Sequence, residues 1–409
     1  MFSARASWDL TPSALSERIA LARASGRTLF DLTNANPASL ALPGEILSEA
    51  LEEIARAPES RRYEADPRGD SRAREAIAAY HQTQGASISP EHIVLTAGTS
   101  EGYAQLFRVL ADPGDLVHLP TPGYPLFEVL AELEGLRCAR YRLLAPRAES
   151  PHWPLDLDGL AATLAPESRA LLAIHPHNPT GSFVSPTDLA SLRCVCVERG
   201  LALLSDEVFA DSGPAPVGTS ALVGATEGPL CCVLSGASKV LGVPQLKVGW
   251  IAVSGPTALR DEALARLEFA SDAFLSVSPL VARALPSLFA RRAEIRAALN
   301  ARVAANRAAL AEALRTESRV GVLPAQAGWG AIVTVERSRG GRLASDEALA
   351  IAALEEASVL IHPGALFELE ATTRVFHLVA SLLAPEDEFA ASASALAAFL
   401  AREFSGNTG

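Results

Sequence analysis

The 409-residue chain contains no run of about 18 apolar residues free of charge, which excludes a membrane-spanning helix as the reading of any segment. Its first residues, Met1-Phe2-Ser3-Ala4-Arg5-Ala6-Ser7-Trp8-Asp9, lack the apolar core of a secretory leader. Both absences predict a cytoplasmic protein. Basic charge is in short supply: 35 Lys and Arg stand against 47 Asp and Glu, a formal net charge of −12. That balance argues against nucleic acid or an anionic membrane as the main partner, and it leaves small anions open, since a few cations or helix N-termini suffice for them. Cysteine is scarce too, at Cys138, Cys194, Cys196, Cys231 and Cys232. Neither the Cys-Val-Cys nor the Cys-Cys spacing has a histidine or second pair at zinc-site distance, so buried thiols are expected rather than metal ligands. Internal repeats are absent.

Apolar residues make up 49% of the chain and charged residues 20%, enough to build a large core with a smaller unit attached. Short, nearly continuous apolar runs predict strands at Ile93–Thr96, Leu116–Leu119, Ala170–Ile174, Ala202–Ser205, Cys231–Ser235 and Gly249–Val253. Helical stretches separate them, among them Ser71–Gln84, Ser100–Ala111, Pro125–Glu134 and Ser185–Arg199. This alternation predicts an α/β fold with a mostly parallel sheet. Beyond Pro256 the chain turns to alanine- and arginine-rich helix, broken near Ser276–Pro279, with one long helix over Arg291–Arg315. Strands at Gly330–Glu336, Ser358–His362 and Val375–Ser381 and helices at Asp346–Ala357 and Pro385–Glu403 then read as a smaller α+β domain. The expected division is a large domain over residues 49–290 and a small one made of 1–48 and 291–409.

Four segments carry chemistry. Leu95-Thr96-Ala97-Gly98-Thr99-Ser100-Glu101-Gly102 passes from strand to helix, where glycine, two hydroxyls and free backbone N–H groups make a seat for phosphate. Taken alone it serves equally as a capped helix start. His175-Pro176-His177-Asn178-Pro179-Thr180-Gly181 follows a strand and fixes Asn178 at the sheet's C-terminal edge, where open α/β sheets bind ligands; an Asn-Pro turn is the plainer reading. The two histidines point apart if the segment alternates like a strand, which counts against a metal. Leu203-Leu204-Ser205-Asp206-Glu207 drives a buried strand straight into two acids, which suggests a partner cation. In Ser235-Gly236-Ala237-Ser238-Lys239, a lysine sits at the end of another buried strand. Partial desolvation there lowers an amine's pKa and frees it to condense with a carbonyl. Amide, acid, amine and phosphate seat together specify a ligand with a ring oxygen, a ring nitrogen, an aldehyde and a phosphate. Pyridoxal 5′-phosphate has all four.

These motifs, in this order and spacing, resemble the class I and II aminotransferases of pyridoxal-phosphate fold type I, over nearly the whole chain. The resemblance implies a large domain with a mostly parallel sheet and a smaller α+β domain. It implies that Lys239 forms a Schiff base with the cofactor, Asp206 keeps the pyridine nitrogen protonated and Asn178 bonds the ring oxygen. Tyr124, in Pro120-Thr121-Pro122-Gly123-Tyr124, would stack on the ring, and Gly98, Thr99 and Ser100 would seat the phosphate. Tyr63, in Tyr63-Glu64-Ala65-Asp66-Pro67, matches a tyrosine that reaches the neighbouring subunit's phosphate, which implies a homodimer with shared sites. The implied reaction moves an amino group from an amino acid or amine to a keto acid. A C–S lyase or decarboxylase of the same fold, or a non-catalytic sensor of the cofactor, would share these residues.

The chain departs from the family at three places. Lys247 stands where an arginine usually contacts the phosphate, keeping the charge and losing the bidentate fork; Ser235, ahead of Ser238, is the expected helper. Aligning Phe376–Leu382 on the strand that follows the family's carboxylate-binding arginine puts Val379 at the arginine position, with His377 and Arg374 before it. Arg61, Arg62, Arg68 and Arg374 are the alternative cations, unless the donor is not an ordinary α-amino acid. Phe209 replaces a tyrosine that commonly donates to the ring oxygen, and losing that donor raises the pKa of the cofactor–lysine linkage. In a pH titration of the bound cofactor's visible spectrum, Phe209→Tyr is expected to lower the midpoint; an unchanged midpoint would contradict this.

Overall fold

The computed structural model describes every residue except 4–5, 40, 147–149, 214–219, 338–342, 370–373 and 406–409. A seven-stranded sheet forms from the apolar runs. In spatial order its strands are Ile93–Thr96, Gly249–Ser254, Cys231–Gly236, Ala202–Asp206, Ser168–Ile174, Leu116–Thr121 and Arg137–Arg142. Gly249–Ser254 runs antiparallel to both its neighbours, and the other pairings are parallel. Four of these strands are buried at every position, as continuous apolar sequence requires of strands covered on both faces. The period of two sorts them between two cores. Leu171, Ala173, Leu203 and Val233 face one layer, while Leu172, Ile174, Leu204 and Leu234 face the other.

The strand of this sheet that the composition did not predict is Arg137–Arg142, Arg-Cys-Ala-Arg-Tyr-Arg. It lies at the sheet's edge and is only partly covered, so it needs no apolar run. Register explains why the chemistry gathers at one place. Ile174 pairs with Asp206, and Asp206 pairs with Leu234. The segments leaving these three adjacent strand ends therefore emerge side by side, and they are those of Asn178, Asp206 and Lys239.

A second, four-stranded antiparallel sheet contains His362–Pro363, Val375–Ser381, Gly330–Glu336 and Val320–Val322 in that order. The single strand expected over Ser358–His362 is two. Val359–Leu360 pairs in parallel with Phe30–Asp31, which ties the N-terminal segment to this part of the chain, and His362–Pro363 joins the four-stranded sheet. Ser358 at φ 58° turns the chain in, and the short helical turn from Gly364 ends the run.

The long helix is Arg292–Leu314. Its buried side chains, Ile295, Leu299, Val303, Asn306, Leu310 and Leu314, recur at intervals of three and four, one stripe of an α-helix. Each buried leucine on that stripe is worth about 1.5–3 kcal/mol of transfer free energy. Asn306 Nδ2 donates to Leu382 O and Ala384 O at 2.9 and 2.8 Å, anchoring the end of the Val375–Ser381 strand to the helix.

The thiols correct one expectation. Cys196, Cys231 and Cys232 are buried, but Cys194 is exposed, with Sγ 3.3 Å from Glu198 Oε1, and Cys138 is partly covered. On the helix Pro186–Arg199, Leu189, Leu192 and Cys196 form the inward face. Cys194, two residues from Cys196, lies on the far side of a 3.6-residue turn. No helix among the described residues is long and apolar enough to cross a membrane.

Candidate active site

Lys239 lies in a helical turn, Ala237–Val240, that follows directly from the buried strand Cys231–Gly236. Its Nζ stands 5.6 Å from the Phe209 ring centroid and 4.9 Å from that of Trp329, and the two rings meet edge to face at 5.3 Å. Burial among these groups pushes the amine down to about 8, against the pull of the Asp206 charge. With that midpoint about one amine in ten is neutral at pH 7, against roughly three in ten thousand for an ordinary lysine. Lys239 and Lys247 are the only two lysines in the chain.

Asp206 ends its strand almost wholly buried. Oδ1 accepts from the Val208 N–H at 3.1 Å, and Oδ2 accepts from the Tyr103 hydroxyl at 2.8 Å. Burial pushes this carboxyl up to about 6, while those two hydrogen bonds and the charge of Lys239 hold it down. Its neighbour Glu207 turns away into structure, with Oε1 taking the Ser205 hydroxyl and the Ala221 N–H at 3.0 and 2.8 Å.

The Gly98–Ser100 segment, the candidate seat for phosphate, is built by close approach. Gly98, at φ 125°, caps the helix Thr99–Leu110, and no side chain bonds the first N–H groups. A Cβ on Gly249 would lie 2.9 Å from both Gly98 C and Thr99 N, so only glycine lets the neighbouring strand come this near. Lys247 reaches the same point: its Nζ lies 3.6 Å from where a Gly98 Cβ would be. Helix N-terminus and ammonium thus converge at Gly98, Thr99 and Ser100. Ser235 is fully buried, and its hydroxyl donates to Glu207 O at 3.3 Å.

The Asn178 turn is held on both sides. Gly181 at φ 67° accepts from Ala327 N at 3.0 Å, and any Cβ there would collide with the Ala327 carbonyl oxygen. His177 Nδ1 pairs with Thr180 Oγ1 at 3.0 Å, and His175 Nδ1 accepts from Val184 N at 3.0 Å, so each ring is used within its loop. Burial lowers both, to about 4 at His175 and about 3 at His177. No cluster able to hold a metal exists among the described residues. Tyr124 is exposed on one face and packs against Phe127 and Phe367 on the others, at 6.2 and 6.4 Å between centroids. Tyr63 stands apart from this group, 73% exposed on a surface shared with Leu275, Ser276 and Pro279.

Val379 is buried with Trp153, Ile332, Phe367 and Leu369, on the strand face that meets the Asn178 turn. His377, on the same face, is pushed down from its ordinary value by burial. Arg68 is committed to Glu268 at 2.5 Å. The residues that sequence reasoning missed are Tyr103, and Arg296 and Asn300 of the long helix, which line the Lys239 pocket. Asn300 Nδ2 donates to Asp211 O and Gly213 O at 3.2 and 2.9 Å, and Ser212 Oγ in that turn accepts from Gly328 N at 2.9 Å. One turn therefore fixes both aromatic walls of Lys239. Nothing local in the sequence announces contacts made over such separations.

The sequence model of the family described as "Aminotransferase class I and II" matches residues 32–381. The chain belongs to that family. Among its relatives, the S-alkyl-thiohydroximate lyase SUR1 of Arabidopsis thaliana is 33% identical over 190 residues, 45% of this chain and 39% of the relative. The glutamate-pyruvate aminotransferase AlaA of Escherichia coli (strain K12) is 27% identical over 234 residues, 56% of each chain. The chain thus spans about half the length, or less, of the curated relatives it matches. An alanine aminotransferase from Pyrococcus furiosus superposes over 98% of this chain and 100% of its own, with a TM-score of 0.86 at 20% identity, which shows the fold.

This class I and II aminotransferase family depends on pyridoxal 5′-phosphate. The donor set fits that group: a depressed amine, a buried carboxylate with lone pairs to spare, and a seat that a single Cβ would fill. Because Asp206 binds its proton more tightly folded than unfolded, the folded state holds extra proton between about pH 4 and pH 6, and stability from this group falls as pH rises through that window. Cofactor-free wild-type protein is expected to lose about 2 kcal/mol more than Asp206→Asn between about pH 4 and pH 7 in urea unfolding. Identical pH dependence in the two proteins would contradict the burial of a titrating acid.

Proposed function

We propose that the protein is a pyridoxal 5′-phosphate-dependent aminotransferase that moves an amino group from an amino acid or amine donor to a keto acid. The observation that carries this reading is the pairing of a partly neutral, ring-flanked Lys239 amine with buried Asp206 beside the Gly98–Ser100 seat. In it, Lys239 would hold the cofactor covalently, Asp206 would bond its ring nitrogen, and Asn178 its ring oxygen. Tyr124 would cover a ring face, while Gly98, Thr99, Ser100 and Lys247 would take its phosphate, with Ser235 behind them. Bound there, pyridoxal 5′-phosphate supplies a carbonyl to which amines add and a ring that draws electrons from the donor's α-carbon. The chain's part is proton handling and exclusion of water. Lys239 takes a proton from the donor's α-carbon and returns one, for which a midpoint near 8 suits it at neutral pH. Phe209 and Trp329 keep its amine among apolar surfaces.

The C–S lyase reading keeps one supporting observation, the lyase name of the Arabidopsis relative. The two readings part in a half-reaction screen of amino acids and amines on the loaded protein. A transaminase loses the cofactor's visible absorbance with a donor and regains it with a keto acid, and Lys239→Ala abolishes both changes. Pyruvate and ammonia released without a second substrate would replace this reading with a lyase, and binding without turnover would replace it with a sensor.

We also infer a homodimer, with 49–290 as the cofactor-binding domain and 1–48 with 291–409 as the smaller one. Tyr63, Phe269, Phe274, Leu275 and Leu280 are 38–82% exposed, which is unusual for large apolar side chains unless a partner covers them. The cytoplasm suits five unpaired cysteines. In sedimentation, wild type is expected to run as a dimer, and Phe269→Asp with Phe274→Asp to run as an inactive monomer. A monomeric, fully active wild type would contradict the shared-site arrangement.

A further inference from the structure

We propose that Tyr103 is a positioning residue: its hydroxyl holds the Asp206 carboxylate ionised and aimed, with one oxygen's lone pair left for the cofactor ring. The proposal rests on the reading of Asp206 as the acid beneath that ring.

Tyr103 lies on the helix Thr99–Leu110, whose N-terminus is the phosphate seat, and it is 1% exposed. Its ring packs against Phe107 and Phe127 at 5.8 and 5.1 Å between centroids. Packing accounts for a ring at this place and leaves a hydroxyl to be explained, because a buried phenol without an acceptor is costly. The acceptor is Asp206 Oδ2 at 2.8 Å. With Val208 N–H on Oδ1, each carboxylate oxygen is fixed by one donor from the chain. Each oxygen accepts about two hydrogen bonds, so one lone pair per oxygen stays open. The same helix thus carries the seat at its first turn and the orienting hydroxyl one turn later, which fixes the spacing between phosphate site and acid.

A hydroxyl that donates stabilises the charged form of its acceptor more than the protonated form. The groups facing Asp206 are Tyr103 from this helix, Lys239 from the lysine turn and Glu207 beside it. From the adjacent strand end comes His175, whose backbone N–H bonds Asp206 O at 2.7 Å and whose ring is taken by Val184. Lys239 is the single cation in this set, and it is itself partly neutral. The Tyr103 hydroxyl is therefore the side-chain donor that does not depend on pH in the working range, and burial keeps its own proton in place.

Tyr103→Phe keeps the ring and deletes the donor. A charge-assisted hydrogen bond of ordinary strength corresponds to a rise of about one to two in the Asp206 midpoint. Infrared pH titration of the cofactor-free chain reads it, with the protonated-carboxyl band assigned by its loss in Asp206→Asn. The expected result is an upward move of that midpoint in Tyr103→Phe, with roughly tenfold weaker pyridoxal 5′-phosphate binding at pH 7. In the Asp206→Asn background, Tyr103→Phe is expected to change cofactor binding much less. An Asp206 midpoint that stays in place, or an equal loss of binding in both backgrounds, overturns the inference and assigns the phenol to packing alone. Failure of the wild-type chain to bind the cofactor at all would instead overturn the reading of the site. The infrared readout needs no cofactor, so the two failures are distinguishable.

Discussion

The structure depends on burying an amine and a carboxylate in one pocket without letting either lose its proton chemistry. Desolvation moves Lys239 down and Asp206 up, so each approaches neutrality, and their mutual attraction restrains both. Without that attraction and the two hydrogen bonds on Asp206, burial would drive both groups toward their neutral forms, and full exposure would leave an ordinary lysine and an ordinary acid. The fold brings the pair together by seating their segments at adjacent strand ends.

Around that pair the chain spends its irregular backbone. The Asp211–Gly213 turn is clamped by Asn300 from the long helix, and through Ser212 it also holds Gly328, next to Trp329. The same stretch of chain, at Ala327, closes on Gly181 behind Asn178. The long helix meanwhile carries the end of the four-stranded sheet through Asn306. A shift of the smaller sheet against the larger one is thereby felt at both aromatic walls of Lys239, because the restraints share one turn.

Much of this was legible in the sequence, for physical reasons. Doubly covered strands must be continuously apolar, so Ile93–Thr96 and Val375–Ser381 stand where their residues predict. A half-exposed edge strand has no such requirement, and Arg137–Arg142 left no signal. Lys239, Asp206 and Asn178 were readable because each lies at or just beyond the end of an apolar run, and register sets those run ends side by side. Tyr103 was not readable. It lies 103 residues from its acceptor and sits in an amphipathic helix whose pattern is satisfied by any large apolar ring. Cys194 shows the converse failure, in which a chemically suggestive pair is split by helical geometry into one buried and one exposed thiol.

With only two lysines in the chain, the central claim has an unambiguous chemical test. Protein loaded with pyridoxal 5′-phosphate is reduced with borohydride, digested, and its peptides weighed. The account predicts a pyridoxyl label on Lys239 and none on Lys247. A label confined to Lys247, or no label on either lysine, would contradict it.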